Sequence, residues 1–241
     1  MPDHDTDQPA EMRSGFVALA GRPNVGKSSL TNAIVGQKVT IVSPRPQTTR
    51  HEIRGMLTRV DAQLVLVDTP GVHKPKTAMG KRLNRTATEA REDTDATVLV
   101  VDASKGVGGP GDARLMAAMP DDVIVAINKI DRLPQEQVLA AIKNAAALAK
   151  RFEKGAVEIF PISARTNKGV PELTEYLIGL LPPGPLWYPE DQVRDSTEGF
   201  WVAELVREQL LATAREELPH SIATRCVELN WPYVEVEILV E

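Results

Sequence analysis

Eight consecutive residues carry the clearest chemical signal in the sequence. They follow the pattern G-x-x-x-x-G-K-[ST] and are Gly21, Arg22, Pro23, Asn24, Val25, Gly26, Lys27 and Ser28. The two glycines allow the backbone to close around a phosphate with its N–H groups pointing inward. Lys27 can reach β- and γ-phosphates, and the Ser28 hydroxyl can bind Mg²⁺. Because an apolar strand precedes this loop and a helix containing Ser29 follows it, we predict a nucleotide site rather than an incidental glycine-rich turn.

A second polar sequence indicates which base the nucleotide carries. Asn128, Lys129 and Asp131 follow a buried apolar run within Asn-Lys-Ile-Asp. A carboxylate at Asp131 can accept two hydrogen bonds from the imino and amino groups of guanine, and adenine offers no matching pair of donors. Asn128 can tie this loop to the phosphate loop, while the stem of Lys129 covers the base. We also expect the backbone N–H groups of Ser163 and Ala164 to contact the guanine carbonyl.

Two further segments are expected to bind the metal and sense the γ-phosphate. Asp68 begins the sequence Asp-Thr-Pro-Gly and can hold Mg²⁺ through water, and the N–H of Gly71 can contact the γ-phosphate. The proline-rich segment 43–50 lacks helical or strand periodicity and is predicted to be a mobile loop, in which Thr48 or Thr49 can close over Mg²⁺. In the Asp-Thr-Pro-Gly segment, the residues expected to bind the nucleotide are Asp68, Thr69, Pro70, Gly71 and Val72.

Alternating apolar strands and helices predict an α/β fold with a mostly parallel sheet covered on both faces. Expected strands span 16–20, 39–42, 53–57, 62–67, 97–101, 123–127 and 157–162, and expected helices span 28–35, 78–92, 112–119, 135–150 and 170–181. The chain is predicted to divide into an acidic disordered tail (1–14), a nucleotide-binding domain (15–181), a proline-rich linker (182–190) and a C-terminal part (191–241). That last part should contain a helix at 197–211 and paired strands at 222–229 and 233–240.

Charge is distributed unevenly along the 241 residues, whose net charge is −5. Residues 1–14 carry −3 and residues 190–241 carry −8, which leaves +6 for the part between them. Any contact with a polyanion is therefore expected in that middle part. A single cysteine, Cys226, excludes an internal disulfide and fits a reducing compartment, and the sequence shows neither a long apolar span nor a leader. We therefore expect a cytoplasmic protein.

Taken in order, GRPNVGKSS, PQTTR, DTPGVHKP, NKID and ISA resemble the Era family of bacterial GTPases over about residues 15–241. The resemblance implies a P-loop NTPase of the Ras-like G-domain type, followed by a type II KH RNA-binding domain. It implies hydrolysis of GTP to GDP with Mg²⁺, with Thr49 as the metal-binding threonine beside Ser28 and Asp68, and a role in small ribosomal subunit (30S) assembly through 16S rRNA. It also implies peripheral contact with a membrane, and we expect a monomer.

Two departures qualify that resemblance. Ras-like enzymes place a water-orienting glutamine where this chain has Val72. GTPases with an apolar residue there include some that use K⁺ held partly by the asparagine matching Asn24. The resemblance then places catalysis on Lys27, Asn24, Thr49 and Gly71, through positioning and charge rather than through a protein base. Separately, the KH domain carries a G-x-x-G loop that clamps RNA, whereas residues 190–241 contain one glycine, Gly199. The KH-type domain is therefore expected to be incomplete, with weak RNA binding.

Two other functions remain compatible with these motifs. A related GTPase could act in tRNA modification or in large-subunit assembly, although a second, tandem GTPase domain would favour that role and none is present. The chain could also be a nucleotide-dependent interaction module that hydrolyses GTP very slowly, because intrinsic GTPase rates are often low. Turnover measured with and without ribosomal RNA or subunits separates these alternatives.

Overall fold

The computed structural model of the protein describes residues 11–45, 48–49, 51–68, 94–213 and 222–240. Within these ranges six strands form one sheet and two form another. The strands are β1 (Arg13–Gly21), β2 (Ile53–Thr58), β3 (Ala62–Asp68), β4 (Ala96–Asp102), β5 (Val123–Asn128), β6 (Val157–Pro161), β7 (Ile222–Asn230) and β8 (Tyr233–Val240). The helices are α1 (Lys27–Val35), α2 (Pro110–Ala117), α3 (Gln135–Arg151), α4 (Val170–Leu180) and α5 (Glu198–Thr213), and short 3-10 helices span Ala103–Lys105 and Ile130–Arg132.

The larger sheet has the order β2-β3-β1-β4-β5-β6, and all its pairings are parallel except that of β2 with β3. Side chains alternate between its two faces, as the period of a strand requires. In β4, Val98 and Val100 pack toward α1 and α4, while Leu99 and Val101 pack toward α2 and α3. Both faces are therefore buried, and the predicted α/β architecture is confirmed.

The parallel arrangement brings several polar strand ends to one edge. β1 lies in the centre, pairing with β3 and with β4, so the loop after Gly21 emerges between them. Leu19 is in register with Asp68, and Asp102 is in register with Asn128. This edge is where open α/β sheets bind ligands.

Two predicted boundaries at the start of the domain differ from the structure. β1 begins at Arg13, inside the segment predicted as a tail, because Arg13 and Ser14 pair with the first residues of β3. The run 39–42 forms no strand. Its backbone is satisfied by side chains instead: Asn32 Oδ1 accepts hydrogen bonds from the Val39 and Thr40 N–H groups over 2.9 and 3.0 Å.

Other boundaries shift by only one or two residues. α2 starts at Pro110 rather than 112, since proline suits the first helical turn. The expected helix at 78–92 lies outside the described residues, and no helix among the residues described is long and apolar enough to cross a bilayer.

The proline-rich linker lies along the larger sheet rather than standing free. Gln63, buried in β3, accepts hydrogen bonds from the N–H groups of Trp187 and Tyr188 over 2.7 and 3.0 Å, and donates to the Tyr188 carbonyl over 2.9 Å. The Trp187 and Phe16 rings pack in a T-shaped arrangement with 5.3 Å between their centroids. These contacts fix the path of the chain toward α5.

The C-terminal part consists of α5 packed against the antiparallel hairpin of β7 and β8. The Arg194 guanidinium lies 5.0 Å from the centroid of the Trp201 ring in α5. On the hairpin, large apolar side chains are exposed, namely Val227, Trp231, Tyr233, Ile238, Leu239 and Val240.

Candidate nucleotide-binding site

The phosphate loop joins β1 to α1, and its glycines are required for two different reasons. Gly26 has a φ of 101°, which side chains rarely adopt, and a Cβ there would lie 2.3 Å from Asn128 Nδ2. Gly21 instead faces β4, where a Cβ would lie 2.7 Å from the carbonyl oxygen of Val100. The sequence predicted conformational freedom at both positions, whereas at Gly21 the structure shows close backbone packing.

Lys27 begins α1 with its ammonium group turned back into the loop. Its Nζ donates to the carbonyl oxygens of Gly21 and Arg22 over 3.3 and 3.4 Å. Burial lowers the pKa of Lys27, and the negative charge of Asp68 opposes that shift. An anionic phosphate would add to the counter-charge that Asp68 already supplies to this desolvated ammonium.

Three oxygen-bearing side chains converge on Asp68 at the end of β3. The Ser28 and Thr49 hydroxyl oxygens lie 3.0 Å apart, and Thr49 Oγ1 donates to Asp68 Oδ2 over 3.5 Å. Thr40 also donates to Asp68 Oδ2, over 3.4 Å, a neighbour that the sequence did not predict. Asp68 is fully buried, and its Oδ1 has no hydrogen-bond partner in the described structure. Burial raises the pKa of Asp68, while Lys27 lowers it.

This set of oxygen atoms suits a hard cation such as Mg²⁺, because a buried carboxylate with one unpartnered oxygen lies next to two hydroxyls. The structure also distinguishes the two adjacent threonines. Thr48 Oγ1 donates to the Arg45 carbonyl over 2.7 Å, so it turns into its own loop, whereas Thr49 faces Ser28. The geometry favours Thr49 as the metal-binding residue. The other expected contacts to the γ-phosphate side, Thr69, Pro70, Gly71 and Val72, lie outside the described residues.

The residues expected to recognise guanine meet after β5 and β6. Asn128 Nδ2 donates to the Val25 carbonyl over 3.0 Å, which joins this loop to the phosphate loop as predicted. Asp131 Oδ1 accepts a hydrogen bond from the Ser163 hydroxyl over 2.6 Å. Its Oδ2 forms a 2.7 Å ion pair with exposed Arg165, a partner that the sequence did not predict. The hydrogen bond from Ser163 and the charge of Arg165 lower the pKa of Asp131, so the carboxylate is ionised at neutral pH.

The Ser163 and Ala164 N–H groups, which were predicted to contact the guanine carbonyl, donate to acceptors within the protein in this structure. Ser163 N–H donates to the carbonyl oxygen of Lys168 over 2.8 Å. Ala164 N–H donates to Asn128 Oδ1 over 3.0 Å. Because both donors already have acceptors, a guanine carbonyl would have to compete for them.

Lys129 connects the base-recognition loop with the phosphate loop and with the end of β4. Its Nζ lies 2.6 Å from the carbonyl oxygen of Asn24 and 2.6 Å from Asp102 Oδ2. Asp102, which follows the expected strand at 97–101, had no predicted role. The position of Asp102 could have identified it, because Asp68, Asp102 and Asn128 each end a buried strand of the same sheet.

An open cavity of about 380 Å³ lies between the phosphate loop, the proline-rich segment and the base-recognition loop. Pro23, Asn24, Gly26, Ser28 and Ser29 line it, together with the cations Lys27, Lys105, Lys129 and Arg132. None of the described residues that line it is acidic. This charge pattern suits a polyphosphate ligand.

The proline-rich segment is also held from the C-terminal side. Arg207 of α5 donates to the Thr48 carbonyl, and Glu208 accepts a 2.9 Å hydrogen bond from the Val42 N–H and pairs with Lys38. Glu204, Arg207 and Glu208 are all buried, although the sequence pattern of this helix pointed only to its apolar positions.

Comparisons with known proteins agree with this geometry. Residues 16–129 match the 50S ribosome-binding GTPase family model. GTPase Era of Mycolicibacterium paratuberculosis is 45% identical over 91% of this chain and 74% of its own length. GTPase Era of Mycolicibacterium smegmatis is 44% identical over the same shares of the two chains.

Solved structures show the same similarity over most of the fold. The crystal structure of Era in complex with MgGDPNP and nucleotides 1506–1542 of 16S ribosomal RNA superposes with a TM-score of 0.86 at 34% identity, covering 95% of this chain and 80% of that one. A variant of Aquifex aeolicus Era bound to GDP and AlF4⁻ gives 0.82 at 33% identity, covering 95% and 79%. With a phosphate loop, a guanine-type recognition loop and relatives of this similarity, the chain belongs to the Era family of GTPases.

Proposed function

We propose that this GTPase acts as a nucleotide-dependent switch in assembly of the small ribosomal subunit, through contact with 16S rRNA. The proposed switch is supported by the direct contact between α5 and the proline-rich segment next to Thr49. The proposed RNA partner is supported by the Era structure that contains nucleotides 1506–1542 of 16S ribosomal RNA. Ordering of a loop by Mg²⁺ and γ-phosphate is a common way for GTPases to signal to a neighbouring element.

In this proposal each group has a task that its position supports. The loop from Gly21 to Ser28 and the Lys27 ammonium bind the phosphates. Asp131 binds the edge of the guanine, and Asn128 holds the base-recognition loop to the phosphate loop. Ser28, Thr49 and Asp68 hold Mg²⁺, which when bound would neutralise charge that develops on the transferred phosphoryl group. Thr49 lies on a segment that contacts α5, so movement of that segment on binding of the metal and nucleotide would change its contacts with this helix.

Potassium is a further element of the proposal. Asn24 adopts a left-handed conformation with a φ of 64°, and its Nδ2 donates to the Pro44 carbonyl over 2.6 Å. Its side-chain amide therefore spans the phosphate loop and the proline-rich segment. An amide oxygen and backbone carbonyls at that junction are ligands suited to a monovalent cation, which fits the K⁺ role expected for Asn24.

Cosedimentation with purified ribosomal subunits tests the proposed partner. Residues 1–241 loaded with a non-hydrolysable GTP analogue should pellet with 30S subunits more than with 50S subunits, and less when loaded with GDP. Asp131→Asn is the matched control, because it should lose the nucleotide dependence. Preference for 50S subunits would favour a role in large-subunit assembly, and no nucleotide-dependent pelleting would favour a slow interaction module.

A further inference from the structure

Asp102 is a buried carboxylate with a separate partner for each oxygen. It ends β4 in register with Asn128, and its side chain is 3% exposed. Oδ1 accepts hydrogen bonds from the N–H and hydroxyl of Ser104 over 3.0 and 2.6 Å, which caps the short helix that follows. Oδ2 faces the Lys129 ammonium at 2.6 Å. One oxygen thus serves the local turn, and the other serves the nucleotide-binding loops.

The Lys129 ammonium joins two backbone segments held in unusual conformations. Lys129 and Asn24 have φ values of 68° and 64°, in the left-handed region that non-glycine residues rarely occupy. Strained residues of this kind persist only where surrounding contacts hold them, and they concentrate at ligand-binding sites. Here the Lys129 ammonium donates to the Asn24 carbonyl, so one group ties the two strained residues together.

The charges around Lys129 show why a carboxylate is needed behind it. Lys27, Lys105, Lys129 and Arg132 line the same cavity. Without a counter-charge, repulsion would push the Lys129 ammonium away from these cations and toward solvent. Asp102 does not itself line the cavity. Its carboxylate therefore pairs with Lys129 from outside the cavity and repels a bound phosphate less than a carboxylate inside the cavity would.

We propose that Asp102 is a positioning residue for guanine nucleotide binding. Its carboxylate holds the Lys129 ammonium on the Asn24 carbonyl, so the lysine stem that covers the base is ordered before the nucleotide arrives. A lysine side chain otherwise loses considerable rotamer freedom on binding, and ordering it in advance strengthens affinity. This inference rests on the proposed assignment of Asn128, Lys129 and Asp131 to the guanine.

Release of fluorescent mant-GDP tests the role of Asp102. Asp102→Asn keeps an oxygen for Ser104 but offers Lys129 an amide donor in place of an acceptor, so release should be roughly tenfold faster, since affinity differences appear mainly in dissociation rates. Ser104→Ala is the matched control, because it removes the hydroxyl bond to Oδ1 and leaves the pair with Lys129 intact. It should release mant-GDP within about twofold of the parent rate, as expected when the ligand contacts are unchanged.

A double-mutant cycle separates positioning from a general structural role. If Asp102 acts through Lys129, the Asp102→Asn and Lys129→Met double variant should release mant-GDP no faster than Lys129→Met alone. Independent, additive acceleration would overturn the proposal, and so would a parental release rate in Asp102→Asn. Should Asp102→Asn lose its native circular dichroism, Asp102→Ser retains a hydroxyl acceptor for the Ser104 N–H and enters the same cycle.

Asp131→Asn distinguishes failure of this inference from failure of the site assignment. If Asp131→Asn binds mant-GDP as tightly as the parent, the assignment of the guanine site is wrong. If Asp131→Asn loses mant-GDP while Asp102→Asn releases it at the parental rate, the site stands and only the positioning role of Asp102 fails.

Discussion

The Arg207 guanidinium donates a 2.5 Å hydrogen bond to the carbonyl oxygen of Thr48. That carbonyl belongs to the residue before Thr49, whose hydroxyl lies 3.0 Å from that of Ser28. The same guanidinium forms a buried ion pair with Glu204 one turn earlier in α5, at 2.7 Å. A charged pair in the C-terminal helix therefore lies one residue away from a proposed ligand of the metal. Displacing the proline-rich segment would break a buried, charge-assisted contact.

Arg207→Met should destabilise the protein strongly, because it leaves the Glu204 carboxylate buried without its partner. Breaking a buried pair from one side costs about 3–5 kcal/mol. The matched control is Arg225→Met on the hairpin, whose pair with Glu237 is exposed and contributes about 0–1 kcal/mol. Urea denaturation of both variants measures the difference. Equal losses would show that the α5 contact contributes little to stability.

How far the sequence predicts the site depends on whether a residue's task is local. The phosphate loop, Asn128 and Asp131 were predictable because short motifs specify their backbone and donor groups. Asp102 was missed because its role arises only when parallel strands bring distant strand ends together. Thr40 was missed because it lies in an irregular segment that meets Asp68 only in the folded chain. The segment 39–42 shows the same limit: β-branched residues favoured a strand, but the side chain of Asn32 takes its backbone hydrogen bonds.

The C-terminal contacts were missed for a different physical reason. Hydrophobic periodicity identifies an apolar helix face, so it indicated where α5 packs but not the charged residues that it buries. Arg207 and Glu208 are buried against backbone groups in or next to the proline-rich segment, namely the Thr48 carbonyl and the Val42 N–H, and Glu204 pairs with Arg207. Backbone partners leave no signature in residue types. Gln63 anchors the linker in the same way, through backbone groups of Trp187 and Tyr188.

Asp131→Asn should lose GTP and accept xanthosine triphosphate. The carboxylate can accept two charge-assisted hydrogen bonds from guanine, each contributing about 1.5–3 kcal/mol, and the amide presents one donor in their place. Fluorescence titration with mant-labelled GTP and XTP measures the change. Arg165→Ala serves as the control, because it removes the exposed partner of Asp131 but leaves the carboxylate, and it should keep its preference for GTP. Unchanged GTP affinity in Asp131→Asn would mean that another group recognises the base.

The affinity for Mg²⁺ should fall as the pH falls. Burial raises the pKa of Asp68, so the folded protein binds a proton there at a higher pH than the unfolded chain does. Protonation of Asp68 stabilises the metal-free fold as pH decreases through that raised pKa, and it competes with Mg²⁺. Below that pKa, each unit of pH should lower the apparent affinity about tenfold. Mg²⁺ titration of mant-GTP binding at several pH values measures this.

Two variants show whether Asp68 is the group responsible for that pH dependence. Asp68→Asn should bind Mg²⁺ weakly and with no pH dependence from this position. Ser28→Ala should also bind Mg²⁺ weakly, but it should keep the slope because Asp68 remains. A pH-independent affinity in the parent protein would contradict the role of Asp68.

Replacing Na⁺ by K⁺ should raise the rate of GTP turnover if Asn24 helps to hold a monovalent cation. Asn24→Ala should abolish the difference between the two salts, because it removes the side-chain amide that reaches Pro44. Phosphate release measured at equal ionic strength in both salts is the test. Arg22→Ala is a suitable control, since Arg22 is the neighbouring residue but pairs with Asp112. Equal rates of the parent in both salts would exclude a catalytic potassium site.

Binding of an isolated RNA strand by residues 1–241 should be weak and independent of sequence, so the preference for 30S subunits proposed above must arise from surfaces that the assembled subunit presents. Residues 190–241 contain no G-x-x-G clamp and carry −8, so this surface repels a polyanion. The +6 of residues 15–189 leaves only a modest electrostatic attraction, with a Kd of about 1–100 µM expected at physiological salt and a steep loss at higher salt. Fluorescence anisotropy with an RNA matching the 3′ end of 16S rRNA, compared with a scrambled RNA, measures both affinity and selectivity.

Self-association must be measured alongside RNA affinity, because the hairpin exposes a group of large apolar side chains that includes Trp231 and Tyr233. Sedimentation velocity at the concentrations used for anisotropy identifies any oligomer, and Trp231→Ser should reduce it. Lys105→Ala provides a control for the electrostatic part: it removes one cation from the nucleotide cavity, so it should leave the weak, salt-sensitive RNA binding nearly unchanged. Tight binding that discriminates the 16S sequence from its scrambled form would show that these residues recognise RNA without the clamp, and would overturn this prediction.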